Sequence, residues 1–297
     1  MKRSIPALTI TACLVSGCVS YSLDGNDILR TDAQLERSGR NLSVGPDLRA
    51  AGEALDAVVT EERLSAPFGE IALTRFERNS GDQPIVIFCG GSLFRQDTRG
   101  AASFEALFRL GDVWLVDYPG YGRSEGNGTV EEFVAYEDIV VARLQQAVGT
   151  MPIQRPIFVG HSFGGGVCAS MASRFPNRSN LVLLGAFRNY EAVVKARAGW
   201  FGWIVRPEIS NDLPNTDIVS ALAGYQGHVV VVAAENDPTV PYAASRSLSR
   251  ALSNEGVSVD FITVPGADHS GLVERIPTLG AVSRSLSGRE DAERAPQ

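Results

Sequence analysis

The sequence predicts an α/β fold, a doubly wound and mostly parallel sheet covered by helices on both faces. Two patterns carry that expectation. Short apolar runs without polar alternation stand at 85–89, 113–116, 157–159, 181–184, 229–233 and 259–264, as strands buried on both faces require. Helical periodicities fall between them at 101–110, 129–148, 164–174, 242–253 and 271–286, and strand alternating with helix implies right-handed crossovers. A third observation bounds the size: 297 residues with 44% hydrophobic content are enough for one large core without division into domains.

Taken in order, the chain opens with Lys2 and Arg3, an apolar run over 5–15 and then Ser16-Gly17-Cys18. This is the three-part layout of a secretion signal. The run is about half the roughly 20 residues a membrane-spanning helix needs, so a permanent span is the weaker reading. Val15-Ser16-Gly17-Cys18 resembles the lipobox of bacterial lipoproteins, which implies removal of residues 1–17 and a lipid on Cys18 as the new N-terminus. Ile10-Thr11-Ala12-Cys13 resembles it too, but cleavage there would leave a very short apolar region. The expectation is therefore an exported protein of the bacterial cell envelope, lipid-anchored to a membrane. The competing reading, a cytosolic chain with an apolar N-terminal helix, would expose that run to water with no return.

Residues 18–58 are largely polar, lack sustained periodicity and read as a spacer between membrane and domain. The domain itself is expected over 59–286. It begins with a hairpin, 59–65 and 70–78 around Ala66-Pro67-Phe68-Gly69. Thr129, followed three residues later by Glu132, is a capping-box start for the longest helix. The polar stretch 287–297 reads as a frayed tail.

Charge excludes one class of partner. There are 27 basic and 34 acidic residues, a net charge of −7, and loss of Lys2 and Arg3 with the signal leaves −9. No basic block lies outside the extreme N-terminus, so nucleic acid is not an expected partner, and attachment to anionic lipid by charge is not expected either. No spacing of metal ligands is present, and neither a metal nor another cofactor is expected. Cys89 and Cys168 sit in apolar runs and are expected as buried free thiols; a bridge would need a proximity that sequence cannot supply.

In open α/β sheets ligands bind at the carboxyl ends of the strands, so the residues after each apolar run matter most. Gly160-His161-Ser162-Phe163-Gly164 follows one such run and precedes a helix, the strand-turn-helix context in which G-x-S-x-G has meaning. A serine hydroxyl is a weak nucleophile near neutral pH and needs a base, which in turn needs an orienting acid. The chain has three histidines. His161 adjoins the serine and is turned from it by the backbone, so it is expected to pack beside the turn. His228 opens an apolar strand. His269, in the loop after the last apolar run, is left as the base. For the acid, Asp237 follows the run 229–233; Glu235 and Asp268 are the alternatives. The order Ser162, Asp237, His269 is that of α/β-hydrolases.

Over about 59–286 the chain resembles the α/β-hydrolase superfamily, of the small-cap esterase or serine aminopeptidase-like kind. Phe88-Cys89-Gly90-Gly91-Ser92 resembles the family's His-Gly oxyanion segment, with Cys89 where histidine is common. Asp117-Tyr118-Pro119-Gly120-Tyr121-Gly122-Arg123-Ser124 resembles a structural turn after the next strand. The resemblance implies a serine hydrolase of the carboxylesterase kind, acting on a small-molecule acyl substrate through an acyl-enzyme. It implies an oxyanion hole from the Phe163 N–H together with Ser92 or, alternatively, Gly91. It also implies a short cap over about 188–226. Trp200, Phe201, Trp203 and Ile204 cluster there and, as aromatic clusters usually do, are expected to seal against the core; lining an acyl pocket is the alternative. The family equally admits peptidases, thioesterases and acyltransferases. A non-catalytic envelope binding or scaffold protein is the reading from another class, and it has no need of three such residues at three strand ends.

Overall fold

The computed structural model describes residues 19–80, 83–149, 155–175, 179–275 and 279–287. The signal layout with Cys13 and Cys18, and the tail beyond 287, lie outside the described residues. From the N-terminus come β1 (Val19–Leu23) and three short helices, α1 (Gly25–Ile28), α2 (Asp32–Arg37) and α3 (Leu48–Glu53). The segment expected as a spacer is thus packed on the domain. Asp24, Thr31 and Asp47 cap the three helices, which lets them form although each is too short to show a period. Leu23, Leu29, Leu35 and Leu48 are buried, and Arg95 pairs with Asp32 at 2.8 Å.

The hairpin follows as β2 (Val58–Ala66) and β3 (Gly69–Glu77), antiparallel with Ala66 opposite Gly69. Then come β4 (Ile85–Cys89), α4 (Ala101–Leu107), β5 (Asp112–Val116), α5 (Val130–Val148), β6 (Ile157–His161), α6 (Gly164–Arg174) and β7 (Asn180–Leu184). The capping box forms: Thr129 Oγ1 accepts from the Glu132 N–H while Glu132 accepts from the Thr129 N–H. After β7 lie α7 (Tyr190–Arg197), β8 (Val205–Ile209), α8 (Ile218–Ala221), β9 (His228–Ala234), α9 (Tyr242–Asn254) and β10 (Ser258–Val264). The helix expected from Gly271 starts later: residues 271–274 form turns, and helix is present at 279–287.

Eight strands form one sheet in the order β10-β9-β7-β6-β4-β5-β3-β2. Pairings from β5 through β10 are parallel, and β2 and β3 add the antiparallel edge. β4, β5, β6, β7 and β9 are buried nearly throughout, which explains their unbroken apolar runs. β4 has β5 on one side and β6 on the other, so the chain reverses its winding there and a crevice opens at the carboxyl ends of β4 and β6.

Two further expectations differ from the structure. Cys89 and Cys168 are bonded in a disulfide, with Cα atoms 5.9 Å apart, and are not free thiols. The crossover from β6 lays α6 against β4, which brings together cysteines 79 positions apart. The aromatic cluster of the cap is not sealed either. Trp200, Phe201 and Trp203 are 88%, 63% and 81% exposed, while Tyr190, Val193, Leu213 and Ile218 make the buried contact. The cap is instead tied down by β8, which pairs in parallel with β1 from Val19 opposite Val205 to Leu23 opposite Ile209.

Candidate active site

Ser162 stands at the turn between β6 and α6 with φ of 55°. A non-glycine residue in that region costs of order 1–3 kcal/mol and persists only where its surroundings hold it. Here the Ser162 N–H donates to the Leu184 carbonyl at 2.9 Å, and its own carbonyl accepts from the Gly165 N–H at 2.9 Å. The neighbouring glycines meet a steric demand. A Cβ on Gly164 would lie 2.0 Å from the Cys89 carbonyl oxygen, and one on Gly160 would lie 2.6 Å from the Gly164 carbonyl oxygen. Helix α6 can approach β4 and β6 this closely only without those side chains.

Three loops converge on this turn. The first carries Gly90, Gly91 and Ser92 after β4. The Tyr118 hydroxyl donates to the Gly90 carbonyl at 2.7 Å, the Phe94 N–H closes a turn on the Gly91 carbonyl at 2.8 Å, and a Cβ on Gly91 would point to within 3.7 Å of Ser162 Cβ. Gly91 therefore borders the serine. From the other side comes the N-terminus of α6, whose first N–H groups, that of Phe163 among them, lack intrahelical acceptors and favour negative charge.

The second loop, after β9, holds Asp237. Its side chain is 1% exposed, and Oδ1 accepts from the N–H groups of Thr239 and Val240, both at 2.8 Å. Oδ2 is thereby aimed at the third loop, after β10, where it lies 2.6 Å from His269 Nδ1. With Nδ1–H donating to the carboxylate, Nε2 is left free of a proton and able to accept one. The competing carboxylates are placed otherwise. Glu235 is exposed and accepts from the Gly266 N–H at 3.2 Å; Asp268 is exposed and accepts from the Gly271 N–H at 2.9 Å.

His161 packs beside the turn and does more. Its Nε2 lies 2.9 Å from the His269 carbonyl oxygen, so Nε2–H donates and tethers the histidine loop to the end of β6. The two rings lie 4.7 Å apart. Burial first, then the neighbouring His269, pushes the His161 pKa down from 6.5 to about 4, so the ring is neutral. His228 lies at the opposite end of the sheet, as the first residue of β9, and contacts Ser258 at 2.9 Å and Asp260 at 3.2 Å.

Asp117 is structural. It accepts from the N–H groups of Gln96 and Arg123 at 2.9 and 3.0 Å, and burial lifts its pKa to about 6 against the pull of those donors. No group of three or more metal-ligating side chains occurs among the described residues. A cleft of about 290 Å³ bordered by Thr31, Asp32, Gln34 and Asn127 includes no residue of this site. A cavity of about 20 Å³, lined by Phe163, Val167, Phe187 and Tyr190 among others, lies between the cap and α6, room for about one water.

A model of the alpha/beta hydrolase family matches residues 85–275. Lysophospholipase L2 of Escherichia coli (strain K12) is 28% identical over 123 residues, which are 39% of this chain and 36% of that protein; the matched stretch thus spans about a third of the curated relative's length. Among solved structures, a thermostable esterase from Pseudomonas putida superposes with a TM-score of 0.60 at 17% identity, covering 90% of each chain. Carboxyl esterase 2 of Tuber melanosporum superposes with a TM-score of 0.59 at 16% identity, covering 83% of this chain and 98% of that one. At such identities the likeness is one of fold.

Proposed function

Since the chain belongs to the alpha/beta hydrolase family, we propose that it is a serine hydrolase cleaving carboxylic esters of small acyl substrates, with Ser162 as nucleophile, His269 as base and Asp237 as orienting acid. The observation that carries this reading is the 2.6 Å contact between His269 and a buried, doubly hydrogen-bonded Asp237, beside a serine held at positive φ. Ser162 Oγ attacks the ester carbonyl carbon and its proton passes to His269 Nε2. The carbonyl oxygen takes up negative charge and is met by the N–H groups of Phe163 and of Ser92 or Gly91. Donors of this kind are worth about 3 to 4 kcal/mol each. Collapse breaks the bond to the alcohol, which leaves with the proton from His269. Water, deprotonated by the same histidine, then releases the acid and restores Ser162. We put an ester ahead of an amide or thioester because the partly matched relative is a lysophospholipase and esterases are among the proteins that share the fold.

The test is labelling with a fluorophosphonate probe and turnover of p-nitrophenyl esters. Modification at Ser162, with Ser162→Ala abolishing both label and turnover, is the expected outcome. Folded protein that resists the probe, with no turnover of esters or amides, would favour the scaffold reading.

Export and lipidation at Cys18 complete the proposal. The signal layout motivates it, and the Cys89–Cys168 disulfide supports it, since structural disulfides persist in oxidising compartments. Mass spectrometry of the N-terminal peptide should find acylated Cys18; an unmodified Met1 would refute this, and a lipid on Cys13 would move the site.

A further inference from the structure

Within four residues the cap turns two tryptophans and a phenylalanine outward, Trp200, Phe201 and Trp203 at 88%, 63% and 81% exposure. An isolated exposed aromatic needs no explanation, but three together do. Their neighbours in space indicate the occupant. β8 begins at Val205, two residues after Trp203, and its partner in register is Val19, the first residue of β1. Residue 18 is bonded to Val19. Paired strands lie about 4.8 Å apart, so the chain that precedes Val19 joins β1 beside the start of β8.

We infer that the aromatic turn of the cap docks on the surface of a lipid bilayer beside the anchor, an inference that rests on the proposed lipidation of Cys18. Acyl chains on Cys18 enter the bilayer at the foot of β1, and a bilayer surface there runs past the start of β8 and meets the turn. Tryptophan suits that position, because its ring is apolar and its N–H reaches the wet headgroup layer. Interfacial side chains sit roughly 5–10 Å into the boundary between headgroups and acyl chains. Since the mature charge of −9 gives no general attraction to anionic lipid, the contact is an apolar one. It also sets the site's orientation. At the base of the same turn Arg197 Nε donates to the Thr239 carbonyl at 2.7 Å, two residues from Asp237, so the docked cap holds the acid loop at a fixed height above the lipid.

The mature, full chain is to be reconstituted in vesicles of phosphatidylethanolamine and phosphatidylglycerol, with and without phosphatidylcholine brominated on its acyl chains. The chain has three tryptophans, and Trp114 is buried in the core, so Trp200→Phe and Trp203→Phe assign the signal. Docking predicts a blue-shifted emission from Trp200 and Trp203 that loses most of its intensity to the brominated lipid, while Trp114 keeps its own. Emission typical of water, quenched by acrylamide and untouched by brominated lipid, overturns the inference. So does shielding from both quenchers, which would assign the turn to a second copy of the chain. Mass spectrometry of the N-terminal peptide on the same sample reads the anchor separately. Lipidated Cys18 with water-exposed tryptophans refutes docking alone. Lipid-quenched tryptophans on a chain without lipid support docking and refute the anchor.

Discussion

Replacing Asp237 by asparagine tests the proposed base most sharply, because the structure dictates how the amide would sit. Oδ1 of Asp237 accepts two backbone N–H groups, from Thr239 and Val240, each at 2.8 Å. An amide nitrogen cannot take that place, since it would face two donors with a donor. Asparagine must therefore keep its oxygen there and turn its NH₂ toward His269. Nδ1 of His269, 2.6 Å away in the native site, then has to accept, so the ring carries its proton on Nε2. In that tautomer the histidine cannot take the proton of Ser162. A related constellation loses about 10⁴ in kcat on this change, which corresponds to roughly 5 to 6 kcal/mol in the barrier. The shape of the loop is preserved, so thermal unfolding should shift little. Steady-state hydrolysis of p-nitrophenyl acetate checks the expectation, with Glu235→Gln and Asp268→Asn as controls. Both controls are exposed carboxylates, for which loss of charge alters an interaction by about 1 kcal/mol at most, so each should keep turnover within roughly a factor of 5. Near-normal turnover by Asp237→Asn, with loss in Glu235→Gln or Asp268→Asn, would refute the assignment while leaving the fold untouched.

Other perturbations address the frame around the triad. Reduction of the Cys89–Cys168 bridge, or Cys168→Ala with Cys89→Ala, releases a loop of 79 residues. The loss should be about 4 to 5 kcal/mol on the chain-entropy account, a fall in melting temperature of roughly 10 °C by scanning calorimetry; an unchanged melting temperature would refute a formed bridge. His161, with its pKa held near 4 by burial, contributes stability that is present above its unfolded value of about 6.5 and lost as pH falls through about 4. The loss is at most about 3 kcal/mol. His161→Gln should flatten that part of the pH dependence in urea unfolding between pH 7 and 4, and a slope equal to wild type would refute it. Gly164→Ala places a methyl 2.0 Å from a backbone oxygen, so soluble expression should collapse or the melting temperature fall steeply; a fully stable, active variant would contradict the close crossing of β4 and α6.

The central sheet was legible because its strands are buried on both faces. Ile85–Cys89 and Asn180–Leu184 are buried at every position, and a strand in that state must read as an unbroken apolar run. The acid loop was legible for another reason: Asp237, Glu235 and His269 follow such runs, and the fold delivers the ends of β9 and β10 to one edge. Position in the sequence puts Asp237 ahead of Glu235 and Asp268, but what aims one of its oxygens at the ring, the N–H groups of Thr239 and Val240, is not legible there. The disulfide was not legible. Its partners lie on a strand and on a helix whose mutual distance depends on a crossover, and nothing local marks them. The packing of 19–58 on the domain is not legible either, since helices of four to six residues show no period, and Leu23, Leu29, Leu35 and Leu48 are too scattered to mark a buried face.

The aromatic turn faces outward although a cluster of this kind predicts a core position. Clusters of aromatic residues are placed in cores because water is taken as the only other environment. Trp200, Phe201 and Trp203 gain nothing from the core, since Tyr190, Val193, Leu213 and Ile218 already fill the contact beneath the cap. They follow a glycine at φ of 57°, which reverses the chain after α7 and carries them outward. The same sequence also places a candidate anchor at Cys18, one residue before the strand that pairs with β8. Considered apart, the first pattern suggests core and the second only an address. The parallel pairing of β1 with β8 joins them, and under the proposed docking a third solvent, the bilayer surface, is the environment of that cluster.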